Sequence, residues 1–336
     1  MSKVSKYLVV LLPLLLLSCG DLFKNTDYTE NENMIAFTGY ADSSSTDLDV
    51  FMIEYDTDVP TVYNISGIST EDFYPVWTYE HEYIAYIAAS SVQYYIYAAD
   101  PIEFSADLLI SESERIYKLE ASPTDPFLAY ISLADGDNYE LSILDIDSED
   151  AFTIDEIPYA ANPLIAWSPD GSMLAAATDE IYIYDTTDSV YLYSIDQDPD
   201  YMFWDAASDG LYLVISGNIY WADSSSQEAV FTGYNLAYPA ISPDRNYLAA
   251  VAQDLGNELI AIDLTLGSYE EVAQIELPTF HANDYRCAGW SSDSRYLAYL
   301  DTEEGAWNIY IADEHFYFSS ELLNNELSIK NALCWY

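Results

Sequence analysis

The feature that most constrains the fold of this chain is a short hydrophobic strand pattern that ends on an acidic residue and occurs seven times. The terminal acids recur every 38 to 50 residues. The seven copies end at Asp56, Asp100, Asp145, Asp185, Asp223, Asp263 and Asp313. A period of this size, made of β-branched and aromatic runs between turn residues, is typical of a solenoid, a propeller or an array. The period therefore predicts an all-β repeat fold.

Between consecutive copies lies a second motif: an apolar strand, a tight polar turn and a strand of small apolar residues. The clearest copy is Trp-Ser-Pro-Asp-Gly from Trp167, and further copies begin at Ile241 and Trp290. Pro presets φ, Asp can bond to its own backbone and Gly accepts a positive φ, so the motif suits a tight turn. Each repeat thus predicts a four-stranded antiparallel blade. Strand A precedes the turn, B follows it, C ends on the acid and D leads onward.

The two ends of the repeat region complement each other. Residues 332–336 resemble a strand A with no strand B after it, and residues 34–37 resemble a strand B with no strand A before it. Pairing the two would close the ring and leave no sheet edge exposed. The sequence predicts a seven-bladed β-propeller over residues 34–336, closed by N- and C-terminal strands that share one blade.

These motifs resemble the WD-repeat-like propeller of the TolB family. Repeats of that family carry Trp-Ser-Pro-Asp-Gly, a small apolar strand, and an Ile-Tyr strand closing on Asp. The resemblance covers residues 34–336, the propeller part alone, and its motifs are most specific around Trp167, Ile241 and Trp290. It implies the fold. Similar blades also accompany the catalytic domain of prolyl oligopeptidase-like peptidases, so no activity is implied.

Residues 1–18 resemble a bacterial lipoprotein signal peptide. Lys3 and Lys6 precede an apolar stretch, residues 7–17, that is too short for a stable membrane span. Cys19 follows at the place where such signals are cleaved and the thiol is diacylated; an ordinary signal peptide is the alternative. Residues 19–33 would then be the lipidated N-terminus and a polar tether. The resemblance implies a lipid-anchored envelope protein, on the periplasmic side of the outer membrane or at the cell surface.

The chain is strongly acidic, with 58 Asp and Glu against 9 Lys and Arg and a formal net charge of −49. Such a field repels nucleic acid and anionic membrane surfaces, so we expect no nucleic-acid partner and no membrane contact beyond the lipid. No Gly-x-Ser-x-Gly, His-Glu-x-x-His or phosphate-loop motif occurs. The acidic runs lack the Gly and distal Glu of a calcium loop. We therefore expect no catalytic residues, no cofactor and no metal.

The rare basic residues are concentrated at one place in the repeat. Four of them stand at or just before a predicted strand A, which lines the channel of a propeller: Arg115, Lys118, Arg286 and Lys330. The loops from strand D to strand A carry tyrosines, among them Tyr74, Tyr201, Tyr238 and Tyr285. These residues predict a site on the D–A face for a carboxylate-bearing or carbohydrate-like ligand, or for a protein segment. Alternatively, the cations neutralise channel carboxylates such as Glu120 and Asp284.

Cys287 and Cys334 are the thiols that remain once Cys19 is acylated. Both fall on strand A, in adjacent blades. An exported protein meets an oxidising compartment, so one prediction is a disulfide between them. Adjacent A strands diverge along the channel, and Cα atoms more than about 7 Å apart cannot be bridged without movement. Two small buried thiols are the alternative.

Two classes of function follow. The first is a lipid-anchored propeller that binds or scaffolds an envelope protein or small ligand at its D–A face. The second is an enzyme on the same scaffold, such as a polysaccharide lyase. A lyase would need a base and usually clustered His or metal ligands on one face, and the sequence pattern supplies no such cluster. We therefore expect a binding module and not an enzyme.

Overall fold

The computed structural model describes residues 34–41, 47–54, 60–67, 70–134, 138–275, 286–303, 306–312, 319–321 and 328–335. At residues 302–303, 306–307, 319–321 and 328–335 the description is of the backbone. All of these residues belong to one compact unit, Asn33–Tyr336. They form seven four-stranded antiparallel sheets arranged as a ring of blades. The predicted seven-bladed β-propeller is confirmed.

The strands follow one another along the chain, and six of the seven blades are built from four consecutive strands. The first three strands are β1 (Met34–Tyr40), β2 (Asp49–Glu54) and β3 (Thr61–Asn64). The next two blades contain β4 (Glu71–Trp77), β5 (Ile84–Ala89), β6 (Tyr94–Ala99) and β7 (Ala106–Glu112), then β8 (Ile116–Ala121), β9 (Phe127–Leu133), β10 (Asn138–Asp145) and β11 (Ala151–Pro158).

The remaining blades continue in the same order. Two of them contain β12 (Leu164–Trp167), β13 (Met173–Ala177), β14 (Ile181–Asp185) and β15 (Val190–Ile195), then β16 (Tyr201–Trp204), β17 (Leu211–Ile215), β18 (Asn218–Ala222) and β19 (Gln227–Phe231). The last strands are β20 (Leu236–Ile241), β21 (Tyr247–Ala252), β22 (Glu258–Asp263), β23 (Ser268–Gln274), β24 (Ala288–Trp290), β25 (Leu297–Glu303), β26 (Ala306–Ala312), β27 (Ser319–Glu321) and β28 (Ser328–Trp335). Short 3-10 helices occupy Tyr79–His81 and Gln253–Leu255.

The ring is closed by a blade that draws on both ends of the propeller. Its strand order is β28-β1-β2-β3, so β28 is its strand A and β1 its strand B. Ile35 lies opposite Trp335 and Ala36 opposite Cys334 in an antiparallel register. Strand β28 also contacts β24 and β4, the A strands of the blades on either side. The predicted closure is confirmed.

The recurring acid after strand C caps the turn into strand D. In five blades its Oδ1 accepts hydrogen bonds of 2.7–3.2 Å from the backbone N–H groups two and three residues later. The five are Asp100, Asp145, Asp185, Asp223 and Asp263. Asp is favoured in turns because its short side chain reaches the backbone just ahead of it. The motif that defines the period is therefore a structural device.

The turn from strand A to strand B has a network of its own. Ser168 Oγ accepts from the N–H of Met173 at 2.9 Å and donates to Asp170 at 2.7 Å. Ser242 and Ser291 make the same pair of bonds in their blades. These bonds satisfy backbone groups that the ladder leaves open at the turn.

The hydrophobic core is divided among the interfaces between blades. In one interface, Leu141 and Ile143 of β10 pack with Leu174 and Ala176 of β13. The small residues on strand B are fully buried, which lets neighbouring sheets approach closely. Tryptophans add inter-blade hydrogen bonds: Trp204 Nε1 donates to the Ala166 carbonyl at 2.9 Å. Among the described residues, no helix combines the length and hydropathy needed to cross a membrane.

Candidate functional site

A cavity of about 350 Å³ lies inside the ring of A strands. Its walls come from six of these strands, β4, β8, β12, β16, β20 and β24, and from the A–B turn after β20. The described lining residues include three cations, Lys118, Arg245 and Arg286, and one carboxylate, Glu120. The whole chain has a formal net charge of −49, so a cavity lining with more cations than carboxylates is opposite in sign to the rest of the protein.

Tyr74 forms part of the cavity wall through an irregularity in its strand. Its φ is +62°, and the register of β4 against β5 shifts between Phe73 and Val76. A positive φ at a bulky residue is an unfavourable conformation that persists only where the surroundings impose it. Pro75 follows and has no N–H to give to the ladder, which fits a bulge. The bulge places a tyrosine with 6% relative exposure at the cavity wall.

Two of the predicted cations lie against the ring of Tyr74. Lys118 Nζ is 5.3 Å from the ring centroid, and the Arg286 guanidinium carbon is 4.6 Å from it. These three residues come from three different blades. A cation over a tyrosine face gains about 0.5–2 kcal/mol, with the larger values where water is excluded. Two positive charges therefore lie against the ring of Tyr74, and Lys118 is itself buried, with 6% relative exposure.

Tyr201 lies on the next part of the cavity wall, and Tyr238 lies in the groove beside it. Tyr238 repeats the bulge of Tyr74, with a φ of +53°, a register shift and a following proline, Pro239. The Tyr238 N–H donates to Tyr201 Oη at 3.4 Å. Burial raises the pKa of Tyr201, so its hydroxyl stays protonated. Tyr201 lines both the cavity and an adjacent groove, which also contains Tyr238.

Arg245 is a cavity residue that the sequence analysis did not identify. It occupies the fourth position of the turn Ser242–Arg245, with a φ of +61°, where the turn after β12 has Gly171 with a φ of +71°. Its Nε is buried and has no hydrogen-bond partner. Burial lowers the pKa of Arg245, and Glu120 opposes that shift. The signal in the sequence was an arginine where the same turn motif elsewhere carries glycine.

The remaining predicted ligand residues lie elsewhere or outside the described part of the chain. The Arg115 guanidinium lies 4.7 Å from the ring of Tyr117, and Arg115 is not among the described residues that line the cavity. Tyr285 and the side chain of Lys330 are outside the described residues. The structure thus brings together Tyr74, Lys118, Tyr201 and Arg286.

The predicted disulfide stays a prediction. Cys287 is a buried thiol, and burial raises its pKa to about 12. The side chain of Cys334 is outside the described residues. Among the residues that are described, no group of three or more His, Cys, Asp and Glu side chains is placed to hold a metal ion.

Comparisons with known proteins bear on the fold. No protein-family model matches this chain, and no curated protein matches its sequence. TolB from Acinetobacter baumannii superposes with a TM-score of 0.60 at 14% identity, over 90% of this chain and 66% of TolB, so this chain spans just under two thirds of TolB. The fold is that of a TolB-like propeller.

Enzymes share the fold to the same degree. The oligogalacturonate lyase from Vibrio parahaemolyticus has a TM-score of 0.64 at 12% identity, covering 84% of this chain and 91% of the lyase. A periplasmic gluconolactonase from Pseudomonas aeruginosa has a TM-score of 0.59 at 13% identity, covering 89% of this chain and 98% of that one. At these identities the likeness shows the fold alone.

These structures correct one expectation from the sequence. The prediction that this propeller is not an enzyme was wrong: it rested on the missing cluster of His or metal ligands, and the fold is shared with a lyase and a lactonase. The physical reason is that a propeller gathers side chains from many blades at its centre. Residues far apart in sequence can then form a site that no short sequence motif predicts.

Proposed function

We propose that this propeller binds a carboxylate-bearing saccharide in its central cavity and acts at the cell envelope. The observation that carries the proposal is the pair Lys118 and Arg286 held against Tyr74 in a cavity of about 350 Å³. Hydrogen bonds from cationic donors to a carboxylate are roughly twice as strong as neutral ones. A volume of this size lies within the usual range for small-ligand pockets, roughly 300–1,000 Å³.

The binding test compares one acidic and one neutral ligand of the same size. Calorimetry on the full-length protein in detergent would use digalacturonate against galactobiose. We expect the acid to bind and the neutral sugar to bind at least tenfold more weakly. Arg286→Ala and Lys118→Ala should each weaken the binding of digalacturonate and leave the fold intact.

A matched control removes a cation elsewhere. Arg295 lies in the A–B turn of the blade that Arg286 leads into, is exposed, and has its guanidinium 4.0 Å from the Asp293 carboxylate. Arg295→Ala should leave binding unchanged. Equal affinity for the acidic and neutral sugars, or full binding by Arg286→Ala, would refute the proposal.

A second candidate function is turnover of the same ligand by elimination. A cation beside the ligand carboxylate stabilises the charge that develops when the neighbouring carbon loses its proton. Glu120, a carboxylate among the described residues of the cavity wall, would accept that proton, and the protonated hydroxyl of Tyr201 would donate to the leaving oxygen. The carbon–oxygen bond breaks as a carbon–carbon double bond forms, so ultraviolet absorbance reports the reaction. Glu120→Gln should abolish turnover and retain binding; absence of the absorbance in the wild type would reject this candidate.

The envelope location rests on the N-terminal sequence. A diacylated Cys19, at the start of the tether 19–33, would hold the propeller at a membrane. Cys19→Ala should release the protein from membrane fractions and block maturation of residues 1–18. A variant that stays with the membranes and is processed normally would contradict the anchor.

A further inference from the structure

The A–B turns of four blades share one backbone shape. In each, the fourth residue has a φ between +59° and +71°, and its N–H donates to the carbonyl of the residue three positions earlier at 2.8–3.3 Å. The four residues are Gly171, Ser208, Arg245 and Ser294. A positive φ favours glycine, and small polar residues tolerate it better than long ones. Arginine is therefore the residue least expected at this position on backbone grounds.

Nothing in the turn itself requires the arginine. The bonds of Ser242 and Asp244 are the same as those of Ser168 and Asp170 in the turn that carries Gly171. What differs is the destination of the side chain, since Arg245 lines the central cavity. Strained backbone conformations concentrate at functional sites, where another requirement outweighs the local cost.

Arg245 approaches the cavity from a different level than the other two cations. Lys118 lies three residues before Ala121, the last residue of its strand A, whereas Arg245 lies in the A–B turn beyond the end of β20. Three residues of strand span roughly 10 Å. The backbone positions that supply Lys118 and Arg245 therefore lie at two levels along the A strands, and the charge of Glu120 acts on Arg245.

The Arg245 guanidinium retains capacity for a ligand. Its Nε is buried without a hydrogen-bond partner. Unsatisfied buried donors are uncommon in folded proteins, and a donor of this kind on the wall of a cavity fits a group that arrives with a ligand.

We propose that the ligand of this cavity carries two acidic groups at separate positions, one bound by Lys118 and Arg286 and the other by Arg245. This inference rests on the proposed binding of an acidic saccharide and narrows its chemistry to a diacid. The first group binds beside Tyr74 and the second at the level of the A–B turns. Arg245 is then a specificity residue that distinguishes a diacid from a monoacid.

The experiment compares galacturonate with digalacturonate on full-length protein and on Arg245→Gly. The variant installs the residue that the turn after β12 already uses. We expect digalacturonate to bind the variant roughly ten- to a hundredfold more weakly, the loss for one hydrogen bond to a charged group, with galacturonate binding unchanged. The thermal midpoint should stay the same or rise.

Three controls keep the test decisive. Arg245→Ser supplies the residue found in two other blades and substitutes for the glycine variant if that variant fails to fold. Arg295→Ala removes an exposed arginine outside the cavity and should change neither affinity. Arg286→Ala should weaken both acids, and a failure of that variant to do so refutes the proposed function itself.

Two outcomes would overturn the diacid inference while leaving the proposed function intact. In the first, Arg245→Gly lowers stability and keeps full affinity for digalacturonate, which would mean that Arg245 serves to neutralise Glu120. In the second, both acids weaken equally, which would mean that Arg245 acts on the same acidic group as Arg286.

Discussion

The A–B turns after β12 and after β20 have the same hydrogen bonds and differ in what stands at their fourth position. At Gly171 an added Cβ would lie 1.9 Å from Thr124 Oγ1, so both space and backbone require glycine. At the matching position Arg245 holds a φ of +61° and extends into the cavity. A left-handed conformation costs an ordinary residue roughly 1–2 kcal/mol. The repeat therefore determines the backbone shape of the turn, and a residue type that differs from the repeat, as Arg245 does, identifies a position of the cavity site.

The same contrast separates two kinds of polar group. The repeated ones are satisfied, as the serines of the A–B turns and the aspartates of the C–D turns show. Four side-chain polar atoms of the described residues are buried without a hydrogen-bond partner: Asp72 Oδ2, Tyr86 Oη, Arg115 Nε and Arg245 Nε. Asp72 is fully buried, and burial raises its pKa to about 7. Regular positions stabilise the ring, whereas these irregular ones cost stability.

The largest loss of stability should come from removing the strand that closes the ring of blades. Deleting residues 331–336 removes five of the eight residues of β28, exposes the edge of β1 from Ile35 to Thr38 and takes away contacts to β4 and β24. We expect one cooperative unfolding transition at a much lower temperature, measured by calorimetry. An unchanged transition would contradict the closed ring.

The next largest change in stability should come from Asp72, a buried carboxyl that the repeat does not share. Because the folded pKa of Asp72, about 7, lies above its ordinary value of 3.8, the folded state binds the proton more tightly. The contribution of Asp72 to stability is therefore most favourable below pH 4 and is lost as the pH rises through about 7, a cost on the order of 4 kcal/mol.

The corresponding variant is Asp72→Asn, which keeps the shape without the charge. It should be more stable than the wild type at pH 8, with the difference closing towards pH 4 in denaturant titrations. Glu103→Gln, which removes an exposed carboxylate in the turn after β6, is the control and should follow the wild-type pH profile. If Asp72→Asn has that same profile, the carboxyl is not the source of the dependence.

Substitutions at the fourth positions of the two A–B turns, Gly171 and Arg245, should change the free energy of unfolding in opposite directions. Gly171→Ala should lower the free energy of unfolding by roughly 1–2 kcal/mol, since it adds left-handed strain and meets Thr124. Arg245→Gly should raise it by up to about 1 kcal/mol through relief of the same strain. Chemical denaturation of both variants checks this, and changes of the same sign would refute the comparison.

The smallest effect should come from a single cap of the regular network. Asp145→Ala removes an acceptor for the N–H groups of Asp147 and Ser148 and should cost about 1 kcal/mol. Asp147→Ala removes the same charge from the same exposed turn without removing the acceptor. If both variants lose equal stability, the hydrogen bonds accepted by Asp145 are not the cause of the loss.

The sequence by itself determined the number of blades, the strand order within them and the closure of the ring. These features follow from local chemistry that recurs around the ring: an acid that caps the C–D turn in five blades, a Ser-x-Asp that ties the A–B turn in three, and small residues where sheets pack. The sequence also singled out Lys118, Arg286, Tyr74 and Tyr201, because cations are rare in this chain and these residues share one place in the period.

Tertiary structure decided which of those residues meet. Arg115 and Lys118 are three positions apart, yet one lies over Tyr117 and the other over Tyr74 inside the cavity. Arg245 joined the site from a turn that sequence reasoning treated as structural, and the non-enzyme prediction was wrong for the same reason. The centre of a propeller combines residues from blades that are distant along the chain, so its chemistry depends on side-chain directions that no local pattern specifies.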